Sequence, residues 1–177
     1  MRLYFVVGPS GAGKDTLLSG AILVDPRLHW VRRVVTRPES AGGEPFEGVT
    51  EAEFATRLAR GDFALHWDAH GLRYGVPFAE LHEGRDVILN GSRAAIPQAL
   101  AVFPSLRVIH ITAPIAILAD RLAARGRESR DDIAARLSRA DLSLPKDLPV
   151  IEINNASTPA QGVERLLQAL KAYRRKR

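Results

Sequence analysis

The chain has 177 residues, 25 of them Lys or Arg and 20 Asp or Glu, giving a formal charge of +5 and a sequence pI near 10.1. Hydrophobic residues make up 46%, which excludes a disordered chain, and the absence of cysteine excludes a disulfide framework and any thiolate-bound zinc or iron–sulfur centre. No apolar run reaches the length of a membrane span, and residues 3–7 are too short for a signal-peptide core, so the expectation is a single soluble, cytoplasmic domain.

The positive charge is unevenly placed. Lys171, Arg174, Arg175, Lys176 and Arg177 stand in the last seven residues, whereas residues 1–170 hold 20 basic and 20 acidic side chains. A neutral body argues against nucleic acid as a partner, and the basic tail is expected to be a solvated helix end, where cations suit the dipole. Arginine outnumbers lysine 21 to 4; its guanidinium grips phosphate oxygens in bidentate geometry.

In chain order, residues 2–7 form a short β-branched run ending at Gly8, and residues 14–23 read as a helix. Residues 30–36 are strand-like and 37–49 a loop rich in Gly, Pro and Glu. Thr50 followed by Glu53 is a capping box that opens a helix to about residue 60. Residues 63–68 and 72–75 are two short strands around a turn at His70–Gly71. Residues 86–89 are a buried strand, 93–102 a helix, 106–112 a strand and 115–125 a helix. A polar stretch then leads to a helix ending near Leu142, a last strand at 150–153 and a last helix at 159–172. This alternation predicts an α/β chain: a parallel sheet with helices on both faces, interrupted at 31–83 and 121–140.

Gly8-Pro9-Ser10-Gly11-Ala12-Gly13-Lys14 lies between the first strand and the first helix. Glycines at this spacing let successive N–H groups converge on phosphate oxygens, the helix adds its positive end, and the Lys14 ammonium reaches the terminal phosphates. A Ser or Thr that ligates Mg²⁺ normally follows the lysine; here Asp15 follows, with Thr16 next. Asp15 either takes the metal, as a hard oxygen ligand, or caps the helix.

The segments "GPSGAGKDT", "VTRP", "GGE", "GDFALHWDAHGLRYG", "RLAARGRES" and "INN" resemble, in order and over nearly the whole chain, the guanylate-kinase branch of the nucleoside-monophosphate kinases. The resemblance implies a three-layer P-loop kinase fold with a core of residues 1–30, 84–120 and 141–177, an acceptor-binding segment at 31–83 and a lid at 121–140. It implies ATP and Mg²⁺ as cofactors and a small phosphate ester as partner, with no membrane role. Arg37 and Tyr74 match its acceptor-phosphate residues. Arg125 and Arg136 best match its lid arginines, with Arg121 and Arg127 next and Arg130 and Arg139 nearby. Asn154 and Asn155 would lie near the adenine.

Three positions depart from that pattern: Ser40 replaces a second acceptor arginine, Leu65 the carboxylate that reads guanine, and Val76 a hydroxyl. A guanine would be left with an unpaired polar edge. The replacements "GKDT", "FALHWDAHGLRYGVP" and "NGSRA" instead resemble the ribose bisphosphokinases of phosphonate breakdown. That likeness implies phosphorylation of ribose 1,5-bisphosphate by ATP to 5-phosphoribosyl diphosphate. Arg33, Arg37, His70, Arg73, Tyr74, Asn90, Ser92 and Arg93 are then the substrate-side residues. Of the adjoining Arg32 and Arg33 only one can face the site; His66 is a ligand or a packed histidine, and Trp67 is read as core. Arg93 sits against the dipole at a helix start, which suits an anion partner. The alternatives are a guanylate-type kinase and a non-catalytic binding module on the same scaffold.

Overall fold

The computed structural model describes residues 1–41, 43–82, 84–124, 126, 129, 131, 133, 137, 144 and 148–175. In chain order the elements are β1 (Arg2–Val7), α1 (Lys14–Val24), β2 (Leu28–Trp30), β3 (Arg33–Val35), β4 (Phe46–Gly48), α2 (Glu51–Ala59), β5 (Phe63–Ala69), β6 (Leu72–Pro77), β7 (Asp86–Asn90), α3 (Ile96–Val102), β8 (Arg107–Thr112), α4 (Ile115–Ala124), β9 (Val150–Asn154) and α5 (Pro159–Arg175). One sheet has the order β2-β7-β1-β8-β9 and the other β4-β3-β6-β5. In the first, β2 runs parallel to β7 and β8 parallel to β9. Every residue of β7 and all of β1 after Arg2 are buried, the pattern of strands covered on both faces.

The chain divides into two compact units, residues 1–5 with 27–106 and residues 6–26 with 107–177. In the first, β3 pairs parallel with β4 and antiparallel with β6, which in turn pairs with β5. The β5–β6 turn needs two consecutive left-handed residues, supplied by His70 (φ 55°) and Gly71 (φ 71°). Helix α2 covers this sheet: Phe54 stacks on Phe63 with centroids 4.8 Å apart, and Val34 completes the cluster. Its capping box is complete, with Glu53 N–H donating to Thr50 Oγ1 (3.2 Å) and Thr50 N–H to the Glu53 carboxylate (2.7 Å).

In the second unit β8 and β9 run in register from Val108–Val150 to Thr112–Asn154. α1 and α5 pack so closely that a Cβ on Gly20 would lie 2.4 Å from Val163. In the basic tail Lys171 and Arg175 are exposed, as expected of a solvated helix end, and Arg174 departs from it. Arg174 donates to Asp25 at 2.5 Å, their side chains only 13% and 9% exposed, because a carboxylate this buried needs a cation.

Three local readings change. Residues 30–36 are not one strand: β2 ends at Trp30, Arg32 N–H donates to the Glu80 carboxylate (2.8 Å), and β3 starts in the other sheet. A continuous β-branched run does not reveal such a switch of partner. The loop at 37–49 contains β4, a strand made by pairing with β3 rather than by its own propensity. The helix expected from 93 begins as a 3₁₀ turn at Arg93–Ala95 before α3. The helix expected to end near Leu142 falls largely outside the described residues.

Thr50→Ala removes one half of the capping box and is expected to lower unfolding stability by about 1 kcal/mol in urea titration, with no change of fold.

Candidate active site

Residues 8–14 link β1 to α1. A Cβ on Gly8 would stand 2.2 Å from the Ile111 carbonyl oxygen, so the loop runs against β8 as only glycine allows. Gly13 is the N-cap of α1 at φ 86°, and as a glycine it brings no side-chain cap of its own. An uncapped helix start of this kind offers N–H groups and a positive dipole end to an anion. Lys14 Nζ donates to the carbonyls of Gly8 (2.9 Å) and Pro9 (3.0 Å), so the ammonium lies across the loop.

These features fit a nucleotide polyphosphate. The N-cap being Gly13, Asp15 and Thr16 are the second and third residues of α1, both exposed in its first turn. Their carboxylate and hydroxyl are hard oxygen donors suited to Mg²⁺. No cluster of three or more His, Cys, Asp or Glu able to hold a metal occurs among the described residues.

The carbonyl side of the same loop is braced by two residues. Asn155, only 3% exposed, donates its side-chain amide to the Ala12 carbonyl (2.8 Å), and its N–H to Thr112 O (2.7 Å). Arg121 donates to the Gly11 carbonyl (3.3 Å) and to the Asn155 carbonyl (2.8 Å). Asn155, expected beside the adenine, thus spends its amide on the loop. Asn154 accepts the Ala156 N–H on its side-chain oxygen (3.0 Å). One signal of this brace was present in the sequence: Gly162, isolated in a helical run, where a Cβ would come 2.4 Å from Asn155 Oδ1. Arg125, Arg127, Arg130, Arg136 and Arg139 lie outside the described residues.

The structure gathers Arg33, Arg37 and Tyr74 of the acceptor segment with Asn90 at the end of β7. Arg32 is the exposed member of its pair and bonds Glu39 (2.9 Å), whereas Arg33 is 6% exposed. Arg33 forms an ion pair with Glu44, and Asn90 Nδ2 donates to the other Glu44 oxygen at 3.1 Å. The Arg33 guanidinium lies 4.8 Å over Tyr74, and that of Arg37 lies 4.3 Å over Phe46. Burial pushes the Tyr74 phenol above its ordinary range, Arg33 and Arg37 oppose this, and Glu44 adds to it. Glu44 closes the "GGE" segment, and its importance depends on a contact with Arg33 that spacing does not encode.

Arg73 turns away from this cluster. Arg73 alternates with Tyr74 along β6 and turns to the α2 face, over Phe54 at 4.6 Å, with Asp68 3.6 Å from its Nε. With His66, Asp68 and Gln98 it lines a cavity of about 270 Å³. His70 is exposed at the hairpin tip. Ser92 caps the 3₁₀ turn without a side-chain bond, and burial lowers the Arg93 guanidinium from its usual value.

Asn155→Ala deprives the Ala12 carbonyl of its donor. It is expected to cost about 1–3 kcal/mol of stability and to weaken nucleoside-triphosphate binding in calorimetry. Because the Tyr74 pKa is raised in the folded state, its contribution to stability is complete below the ordinary phenol value of about 10 and is lost as pH rises through the folded one. Tyr74→Phe should therefore remove a late-titrating phenol from the alkaline difference spectrum and flatten the fall of stability above pH ~10.

No family model matches the chain. It is 47% identical over 173 residues to the ribose 1,5-bisphosphate phosphokinase PhnN of Ruegeria sp., covering 96% of this chain and 91% of the relative. It is 49% identical over 172 residues to the bifunctional ribose 1,5-bisphosphokinase-thymidine phosphorylase of Cupriavidus necator, covering 95% of this chain but 29% of that protein. The chain thus spans under a third of the bifunctional relative's length. Among solved structures, guanylate kinase from Anaplasma phagocytophilum superposes with a TM-score of 0.69 at 18% identity, over 99% of this chain and 87% of the other. That likeness establishes the α/β P-loop kinase fold, a mostly parallel sheet with helices on both faces. With close relatives matched over nearly their full length, the chain belongs to the ribose 1,5-bisphosphate phosphokinase family.

Proposed function

We propose that this chain transfers the γ-phosphoryl group of ATP to the 1-phosphate of ribose 1,5-bisphosphate, yielding 5-phosphoribosyl diphosphate and ADP. The observation that carries the choice of acceptor is the burial of Leu65 and Val76, 2% and 1% exposed, beside a retained Arg37 and Tyr74. The residues matched to a phosphate grip are kept, and the two matched to base reading are apolar and sealed. A guanine would leave its polar edge without partners, which disfavours a guanylate-type kinase.

An oxygen of the 1-phosphate, already anionic near neutral pH, attacks the γ-phosphorus in line. The new P–O bond forms as the bond to the β–γ bridging oxygen breaks, and ADP leaves with that electron pair. No side chain has to remove a proton, so positioning and charge neutralisation carry catalysis. Residues 8–16 cradle the nucleotide phosphates and Lys14 neutralises the β- and γ-oxygens. Mg²⁺, when bound, supplies further charge neutralisation there, with Asp15 and Thr16 as the donors that would hold it. Arg37 and Tyr74 grip the acceptor phosphate; His70 and Arg73 on the same segment, and Asn90, Ser92 and Arg93 at and after the end of β7, serve as secondary contacts.

In this reading residues 1–30, 84–120 and 141–177 are the nucleotide core, 31–83 the acceptor segment and 121–140 a lid whose Arg125 and Arg136 close on the transferring group, excluding water. Among the described residues no helix is long and apolar enough to cross a membrane.

Incubating the protein with ATP, Mg²⁺ and either ribose 1,5-bisphosphate or GMP, and following ADP release, should show turnover with the sugar bisphosphate alone. Turnover with GMP instead selects the guanylate-type alternative, and absence of ATP binding selects the non-catalytic module. Lys14→Ala should lower kcat by about 10²–10³-fold while circular dichroism stays unchanged; near-normal activity in that variant would defeat the assignment.

A further inference from the structure

We propose that Arg33 and Glu44 together form a specificity plug, covering the aromatic face of Tyr74 and Trp67 so that no planar base can stack there and only base-free sugar phosphates are accepted. This rests on the acceptor-side reading given above and adds to it a mechanism of exclusion.

Trp67 and Tyr74, cross-strand partners on β5 and β6, stack with centroids 5.5 Å apart and planes 6° from parallel. Phe5 packs edge-on against Trp67 at 6.0 Å, which fixes the platform from another side. Flat, fixed aromatic surfaces of this kind are what nucleobases stack on in many proteins, with little regard to sequence. Here the face is already taken. The Arg33 guanidinium, itself flat, lies 4.8 Å from the Tyr74 centroid and 5.5 Å from that of Trp67.

Glu44 is what makes the occupancy durable. Its ion pair with Arg33 is buried, the two side chains 7% and 10% exposed, and Asn90 ties its second oxygen at 3.1 Å. A base entering the stack would have to expel the guanidinium and strand the carboxylate, and breaking a buried pair costs more than one stacked base returns. A base-free acceptor makes no claim on this face and meets no such penalty. The arrangement also carries a cost that packing alone would not select: Arg33 Nε is buried and has no hydrogen-bond partner among the described residues. Rejection by a built-in obstacle, beside attraction by a phosphate grip, is how specific sites separate similar ligands.

The test compares wild type with Arg33→Ala/Glu44→Ala, which removes both charges together so that neither is left buried alone. GMP binding is followed by calorimetry and by tryptophan fluorescence, with Trp67→Phe added to separate Trp67 from Trp30. In parallel, ATP-dependent turnover of ribose 1,5-bisphosphate is measured in the wild type. The double variant is expected to bind GMP at least about tenfold tighter than wild type, with fluorescence quenching that Trp67→Phe abolishes. Unchanged GMP affinity in a folded double variant, a gain without Trp67 quenching, or wild-type protein that already binds GMP with quenching each overturns the proposal. Should the double variant fail to fold, Arg33→Lys keeps the charge opposite Glu44 and loses only the flat face. It should show the same quenching with a smaller gain, and no gain overturns the plug. Wild-type protein inactive on ribose 1,5-bisphosphate overturns the acceptor assignment alone, because the comparison of GMP binding across variants does not depend on turnover.

Discussion

A loop that aims its N–H groups at a ligand turns carbonyls the other way, and those carbonyls must find donors of their own. In this protein Lys14 supplies Gly8 and Pro9, Arg121 supplies Gly11, and the Asn155 amide supplies Ala12. The donors come from α1, from α4 and from the residue after β9, so the phosphate loop is fastened to elements far apart in the chain. Asn155 is in turn fixed by its N–H on Thr112, at the end of β8. Buried amide groups left without partners would each cost on the order of 1–3 kcal/mol, which makes this set of donors a condition for the loop's shape.

The acceptor segment meets the converse problem. Recognising phosphate esters calls for cations, yet cations inside a folded unit are costly unless compensated. Glu44 cancels Arg33 at the cost of one acidic side chain drawn from the loop before β4, and Asn90 holds it there. Aromatic rings absorb further positive charge: Arg37 lies over Phe46 and Arg73 over Phe54.

Features built from neighbours in sequence were open to reading. The phosphate loop follows from glycine spacing, the Thr50–Glu53 capping box from a four-residue pattern, and the β5–β6 hairpin from two strand-like runs around His70–Gly71. Each depends on backbone conformation or on contacts within a few residues. Features built from distant neighbours were not. The step from β2 to β3, the strand β4, the pairing of Arg174 with Asp25 and the role of Glu44 all depend on what lies opposite in space.

By itself, then, the amino-acid sequence determined the alternation of strands and helices, the phosphate loop with Lys14, and the family resemblance carried by its motifs. Only the tertiary structure decided which sheet each half of residues 30–36 joins. It also decided that Asn155 braces the loop, that Arg174 pairs with Asp25, and that Arg33 is turned inward onto Tyr74 and Trp67 instead of outward like Arg32. The reason is physical. Local pattern encodes backbone geometry and periodicity, whereas the partner of a buried charge or amide is chosen by burial, which exists only once the chain has folded.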